Sequence, residues 1–354
     1  MAAPLPLCIV GAGTIGMRHI GMAQRSNRVR LTAVVESDAA RRGGLADSGL
    51  PVAATLADVP ADTRAAVIAT PTPAHRMSGE AALQRGLAVL IEKPVAVTLE
   101  DARALLATAQ ARGLPLIVGH HRRCHPFVMA ARQAVQEMGE LVGLQGMWCL
   151  RKHAAYYEPE WRRRVGAGPL MTNLSHEIDL LHFLIGGIAE VTTLTSSARR
   201  GLAIEDTAAM AFRFENGMLG SFLVSDAGAS PWSFETATGE NPAIAVSGED
   251  YIRIAGTEGA LAFPSLTRWG RSAPGEIEWS KPLRRRSGPG LQKVDPLLEQ
   301  LNRFAVLVTG KDDDVLCSGA DGIAALDVTL AAALSAKTGH PVRAGAVPAD
   351  YRGA

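Results

Sequence analysis

The stretch LCIVGAGTIG, residues 7–16, decides the fold of this chain. Residues 7–10 read as a short apolar strand, Gly11-Ala-Gly-Thr-Ile-Gly16 follows at once, and a helical pattern continues to about Ser26. A lone GxGxxG is a weak signal. Here it has a strand before it, a helix after it, and an acid, Glu36, about 20 residues on at the end of the next strand. Gly11 permits the tight turn, Gly13 lets the backbone approach a pyrophosphate, and Gly16 lets helix and strand pack closely. The helix start at Thr14 and Ile15 offers N–H groups to the anion. Glu36 is suited to the ribose hydroxyls and would repel a 2′-phosphate, which favours NAD. Ser37, Arg41 and Arg42 follow closely and could host that phosphate, so NADP stays possible.

Outward from this stretch, strands are expected at 31–35, 65–69, 88–91 and 116–118. Helical segments lie between them, notably 98–112 with Thr98 as its cap and Asp101 three residues on. Such alternation predicts an α/β fold, a parallel sheet with helices on both faces. Ala69-Thr-Pro-Thr-Pro-Ala-His75 and Glu92-Lys-Pro94 lie at the carboxyl ends of strands, where open parallel sheets bind ligands. Thr70, Pro71, His75, Glu92, Lys93 and Pro94 are therefore cofactor-binding candidates. The three donors of Lys93 also suit a substrate hydroxyl, an oxyanion or the nicotinamide edge.

The 354 residues allow one large domain or two ordinary ones. With 47% hydrophobic and 20% charged residues the balance is that of a soluble globular protein. A net charge of +1 gives no field to draw in nucleic acid or an anionic membrane. Cys8, Cys124, Cys149 and Cys317 are far apart, without a CxxC, and suggest reduced thiols in a cytoplasm and no metal site. No signal peptide is read in MAAPLPLCIV, and no apolar run is read as approaching membrane-spanning length.

A second stretch, GAGPLMTNLSHEIDLLHFLIGG at 166–187, carries the candidate chemistry. It predicts a helix over 172–185, capped by Thr172 or Asn173 and closed by Gly186. Leu174, Ile178, Leu181 and Ile185 share a packing face; Thr172, His176, Asp179 and Phe183 share another. The bland alternative for His176 is a core histidine held by a carboxylate. Zinc fails on spacing, since HExxH needs a second histidine where Leu180 stands. Further strands are expected at 142–150, 191–198, 207–214, 219–224 and 251–255, with Asn216-Gly217 as a hairpin turn. Residues 228–247 read as a long loop containing Trp232, and 269–292 as an excursion prone to disorder. Helices return at 295–308 and 321–336.

With these pieces the chain resembles the glucose–fructose oxidoreductase/inositol dehydrogenase (Gfo/Idh/MocA) family over nearly its whole length. The resemblance rests on GAGTIG, Glu36, ATPTPAH, IEKP, GHHRRCHP at 119–126 and the GPLxxNLSHEIDLL block. It implies a Rossmann NAD(P)-binding domain, 1–121, and an α+β domain, 122–354. The latter would carry a large open, mainly antiparallel sheet whose outer face joins a homodimer or homotetramer. Lys93 matches the family's EKP lysine, which contacts substrate and the nicotinamide side, and His176 matches its acid/base histidine. Where the family commonly has Asp, four residues before that histidine, this chain has Thr172. Asn173 would take over part of the substrate positioning, and Asp179 would support the imidazole. His121 is expected to face the substrate. Arg122 or Arg123, only one of them inward if the segment is extended, would clamp a carboxylate or phosphate or else pair structurally. Tyr156, Tyr157, Trp161, Arg162, Arg163 and Arg164 lie in the loop leading to the helix, aromatics for sugar faces and arginines for anions.

The implied function is a cytoplasmic, metal-free NAD(P)-dependent oxidoreductase. It would pass a hydride between nicotinamide and a secondary alcohol or ketone of a sugar, cyclitol, sugar acid or cyclic hydroxy acid. Alternatives are NAD-dependent glycoside cleavage through transient ring oxidation, and a non-catalytic NAD-binding sensor. Loss of the carboxylate at Thr172, among Lys93, His121, Arg163 and Arg122 or Arg123, favours an anionic substrate.

Overall fold

A computed structural model describes residues 3–272, 277–292 and 294–353. The chain forms two compact units, Met1–His125 with Val294–Leu326, and Pro126–Lys293 with Asp327–Ala354. In the first, continuous aliphatic runs make strands buried on both faces, as a covered parallel sheet requires. The elements run β1 (Leu5–Val10), α1 (Thr14–Arg25), β2 (Val29–Val35), α2 (Ala39–Asp47), β3 (Val52–Ala53) and β4 (Ala65–Ile68). After these come α3 (His75–Gln84), β5 (Ala88–Ile91), α4 (Leu99–Ala111) and β6 (Leu116–Val118). All pairings are parallel, in the order β3-β2-β1-β4-β5-β6. That order is the dinucleotide-binding one and puts every strand's carboxyl end on one edge. Thr98 caps α4 as expected, its hydroxyl accepting the Asp101 N–H at 3.1 Å.

The second unit opens with α5 (Pro126–Val135), β7 (Leu141–Cys149), α6 (Ser175–Leu184), β8 (Ile188–Ser196), β9 (Thr207–Phe214) and β10 (Leu219–Ser225). Strict alternation buries Ala208, Met210, Phe212 and Phe214 of β9 on one face of the sheet. The hairpin at Asn216-Gly217 forms, with Gly217 at φ +86°. The expected loop at 228–247 contains α7 (Phe234–Thr238), fixed by reciprocal capping between Ser233 and Thr236. Three strands follow, β11 (Ile252–Gly256), β12 (Gly259–Phe263) and β13 (Thr267–Gly270), then β14 (Arg284–Arg286). The 269–292 excursion is thus not disordered in its described part: β13 and β14 pair antiparallel. Residues 273–276 of it lie outside the described residues. Three exposed arginines on β14 blunt the sheet edge against further pairing.

Residues Val294–Leu326 rejoin the first unit, so the single boundary expected after residue 121 gives way to a discontinuous unit. There α8 (Pro296–Val308) packs on α1, with the Ser26 hydroxyl 2.7 Å from Asn302 Oδ1. The Val118 N–H donates to the Cys317 carbonyl at 2.8 Å. The last elements are α9 (Gly319–Thr338) and β15 (Val342–Arg343). The finished sheet of the second unit reads β14-β13-β12-β11-β7-β10-β9-β8-β15, antiparallel except for β7 beside β10. By length and composition α9 is apolar enough to cross a membrane, which the sequence reading missed, but most of it is buried inside the protein.

Candidate active site

The glycine turn of the first unit divides its labour. Gly11 has φ +94°, and a side chain there would meet the Ala69 carbonyl oxygen at 2.9 Å. A Cβ on Gly16 would lie 2.0 Å from the Gly11 carbonyl oxygen, whereas one on exposed Gly13 would meet nothing within 4 Å. Two glycines close the turn and the third leaves room for a ligand. Gly13 caps α1 with no side-chain hydrogen bond, so the first-turn N–H groups beside exposed Thr14 and half-buried Ile15 can receive an anion. At the end of β4, Thr70 Oγ1 is buried with no hydrogen-bond partner among the described residues. An open cradle, an uncapped helix and an orphaned hydroxyl fit a dinucleotide.

Glu36 accepts the Ala12 N–H at 3.2 Å, the Asp38 N–H at 3.0 Å and Arg41 Nη1 at 3.4 Å. Burial works against its charge, but these donors outweigh it and hold the carboxyl below its ordinary value. Ser37 and Arg41 are exposed beside it. NADH is therefore expected to bind tighter than NADPH, and Glu36→Ser to narrow or reverse the gap in fluorescence titrations. Equal or tighter NADPH binding by the unmutated protein would transfer the recognition to Arg41 or Arg42.

The two strand-end loops are tied together from inside. Pro71 is exposed, but His75, expected at the cofactor, is buried, its Nδ1 2.9 Å from the Pro94 carbonyl and its Nε2 2.9 Å from that of Thr70. Burial lowers its pKa, opposed by those two contacts. Glu92 is likewise turned inward, with Oε1 2.7 Å from His19 Nε2 and Oε2 accepting the Lys93 N–H at 3.2 Å. Both residues hold the loops. Lys93 and Pro94, joined by a cis peptide bond, are half-buried. His121, Arg122 and Arg123 form a 3-10 turn and all three are buried, so the extended arrangement with one arginine inward does not occur. Arg123 pairs with Asp321 at 3.2 Å.

In the second unit the chain enters α6 through a π-helical turn, Leu170–Leu174, with no side-chain cap, so the expected helix start at 172 moves to Ser175. Such turns recur at functional sites. Glu205 accepts the Leu170 N–H at 2.9 Å, and a Cβ on Gly168 would lie 2.1 Å from that carboxylate. Thr172 Oγ1 lies 2.9 Å from both the Gly168 carbonyl oxygen and Asn173 Oδ1, with one proton to donate between them. His176 is half-buried in the first turn of α6, and Asp179 one turn on is buried. Almost all of α6 is buried, so its polar row is no solvated face.

Lys152, just after β7, extends its ammonium to Asn173 Oδ1 at 3.0 Å and to Asp226 at 3.4 Å. Asp226 also accepts the Tyr157 hydroxyl and Arg200 Nε, the latter at 3.1 Å. Burial, reinforced by Asp226, pushes the Tyr157 phenol up, and burial pushes the Glu205 carboxyl up. The Tyr156 ring has the Lys152 ammonium 4.5 Å and the Arg162 guanidinium 4.1 Å from its centroid. Trp161 and Arg163 are exposed.

Residues 6–120 match the oxidoreductase family model with an NAD-binding Rossmann fold, and 128–262 match the GFO/IDH/MocA C-terminal domain. The chain belongs to the Gfo/Idh/MocA family. It is an NAD(P)-dependent oxidoreductase with an NAD-binding Rossmann domain. D-apiose dehydrogenase of Paraburkholderia graminis is 25% identical over 289 residues, 80% of this chain and 73% of that one. The 1-carboxy-3-chloro-3,4-dihydroxycyclohexa-1,5-diene dehydrogenase of Comamonas testosteroni is 29% identical over 61% of this chain and 57% of its own. A solved oxidoreductase of Agrobacterium radiobacter, in complex with NAD+, L-tartaric acid and magnesium, shares the fold. Its TM-score is 0.78 at 20% identity, over 97% of this chain and 99% of that one.

In this Gfo/Idh/MocA chain, sequence reasoning missed Lys152, Asp226, Arg200, Glu205 and His19. The first four come from separate strand ends of the second unit and carry no motif. Only the fold brings them to the π-helical turn.

Proposed function

We propose that this enzyme oxidises a secondary hydroxyl of a small polyhydroxy compound that carries a carboxylate. The observation that carries the reading is the start of the His176 helix. Thr172 turns its hydroxyl back on Gly168, while the Lys152 ammonium reaches the neighbouring Asn173. The carboxylate of Asp226 is shared between Lys152 and Arg200, two cations to one anion, and burial raises the pKa of the nearby Glu205 carboxyl. Cationic character at that position favours an anion. The names of two relatives agree, one a carboxylated cyclic diol dehydrogenase and one solved with L-tartaric acid.

When bound, NAD supplies the hydride acceptor. Lys93 donates to the reacting oxygen and stabilises its developing charge, and His176 takes the hydroxyl proton. Tyr156 offers a ring edge and Asn173 an amide for positioning. A panel of tartrate, sugar acids and cyclic hydroxy acids against inositol and neutral sugars, followed by NADH absorbance, tests the reading. The best acid is expected to exceed every neutral compound in kcat/KM by about tenfold, the worth of one charged hydrogen bond. Thr172→Asp should weaken the acid and help neutral polyols. Preference for inositol or glucose in the unmutated enzyme, or an unchanged ranking in Thr172→Asp, overturns it.

The outer face of the second unit's sheet supports assembly of copies into a dimer or tetramer. It carries a depression of about 400 Å³ lined in part by Met147, Leu223 and Trp232. Light scattering should give a mass of two or four chains, and a monomer at micromolar concentration would refute this.

A further inference from the structure

We propose that His19 is a positioning residue for Lys93, acting through Glu92; this rests on the reading of Lys93 as the cation at the reacting oxygen. His19 lies on α1, three residues beyond Gly16 of the dinucleotide turn, and is wholly buried. Its Nε2 is 2.7 Å from Glu92 Oε1. Its Nδ1 is buried with no hydrogen-bond partner among the described residues. The proton therefore sits on Nε2, where Glu92 can accept it.

Glu92 passes the constraint on. Its second oxygen accepts the backbone N–H of Lys93 at 3.2 Å. Behind it the space is closed: a Cβ on Gly119 would lie 3.1 Å from the Glu92 Cα and carboxylate. Beyond the lysine, His75 of α3 holds the Pro94 carbonyl at 2.9 Å. Residue 93 is thus anchored on both sides by histidines from two helices. One of those helices opens with the cofactor turn.

Among the described residues, the Glu92 carboxylate is faced by His19 from α1, His121 from the turn after β6, His75 from α3, and Lys93 from its own loop. Burial opposes the charge, and the His19 hydrogen bond is the largest counterweight, holding Glu92 at about 2. Glu92 is then ionised across the neutral range. Without the His19 donor, burial pushes its pKa up, and the acid limb of activity moves to higher pH.

The test compares His19→Leu, His19→Gln and Glu92→Gln, each alone and combined with Lys93→Ala. Two readouts are used: kcat with NAD+ and L-tartrate or the best acid of the panel, and the ¹³C-dimethyl-lysine NMR signal assigned by its loss in Lys93→Ala. His19→Leu and Glu92→Gln should each lower kcat about tenfold or more, the scale of a small misplacement of a reacting group. His19→Gln, which keeps a donor near Nε2, should recover most of the loss. In the Lys93→Ala background the same changes should cost less than about twofold, because the shared target is gone. The Lys93 signal should titrate at lower pH in His19→Leu and Glu92→Gln and near the unmutated position in His19→Gln.

Equal losses in both backgrounds, or a Lys93 signal unmoved by Glu92→Gln, would refute the positioning role. A failure of His19→Leu to fold leaves His19→Gln and Glu92→Gln to decide. Lys93→Ala alone reports on the lysine's own assignment, so the two failures are separable.

Discussion

Lys93→Ala and His176→Ala proteins should bind NADH nearly as well as the unmutated enzyme and turn substrate over about 10²–10⁴ times more slowly. Neither side chain belongs to the glycine turn or to the Glu36 position, where dinucleotide recognition is expected. The loss should therefore fall on kcat, with the cofactor dissociation constant changed by less than about threefold. Stopped-flow turnover and NADH fluorescence measure the two quantities separately. Near-normal turnover of His176→Ala would return that residue to the role of a core histidine. A Lys93→Ala protein that cannot bind NADH would make the lysine a cofactor anchor.

Gly16→Ala is expected to have the second large effect, on binding. Its methyl would lie 2.0 Å from the Gly11 carbonyl oxygen, backbone that cannot swing aside as a flexible side chain could. Gly11 is itself hemmed in by Ala69 and held at φ +94°, so the turn must open to admit the methyl. The N–H groups aimed at the pyrophosphate would then lose their alignment. Two hydrogen bonds to a charged group are worth about 3 kcal/mol or more, so NADH should bind about 10²-fold weaker. Overpacking should also lower stability by about 1–3 kcal/mol. Gly13→Ala, with nothing within 4 Å of its Cβ, should fold with unmutated stability. Calorimetry with NADH and thermal melts check both, and unweakened binding by Gly16→Ala would remove the turn from the cofactor site.

The parallel half of the fold was legible because doubly buried strands leave no polar positions: AAVI and AVLI can be little else between turn signals. Alternation made β9 equally plain. By contrast β3 is two residues long and α2 is AARRGGLAD, too polar and glycine-rich to show a face. The segment 172–185 reads as one helix because the π-helical turn at Leu170–Leu174 shifts the register without changing composition. The arginines at 122 and 123 are both buried because the segment is a 3-10 turn and not extended, and the pairing of Arg123 with Asp321 fits the structural alternative. Motif residues such as Lys93 and His176 could be proposed by type and context. Lys152 could not, because its relation to Asn173 spans 21 residues and is set by where β7 ends. His19 looked like any buried helix position, since its partner lies 73 residues away.

The return of Val294–Leu326 to the first unit has a consequence for how the molecule is made. During synthesis the nucleotide-binding half emerges first, yet α8 and the Cys317 carbonyl, which cover α1 and the edge of β6, are translated only after the whole of Pro126–Lys293. The nascent half must wait, with an apolar helix face and an unpaired strand edge, until the ribosome has passed residue 326. Fragments ending near residue 125 should therefore be sticky and poorly soluble, whatever the merit of their glycine turn. A nucleotide-binding module cut from this chain needs the distant segment grafted back, by a short linker from His125 to Val294.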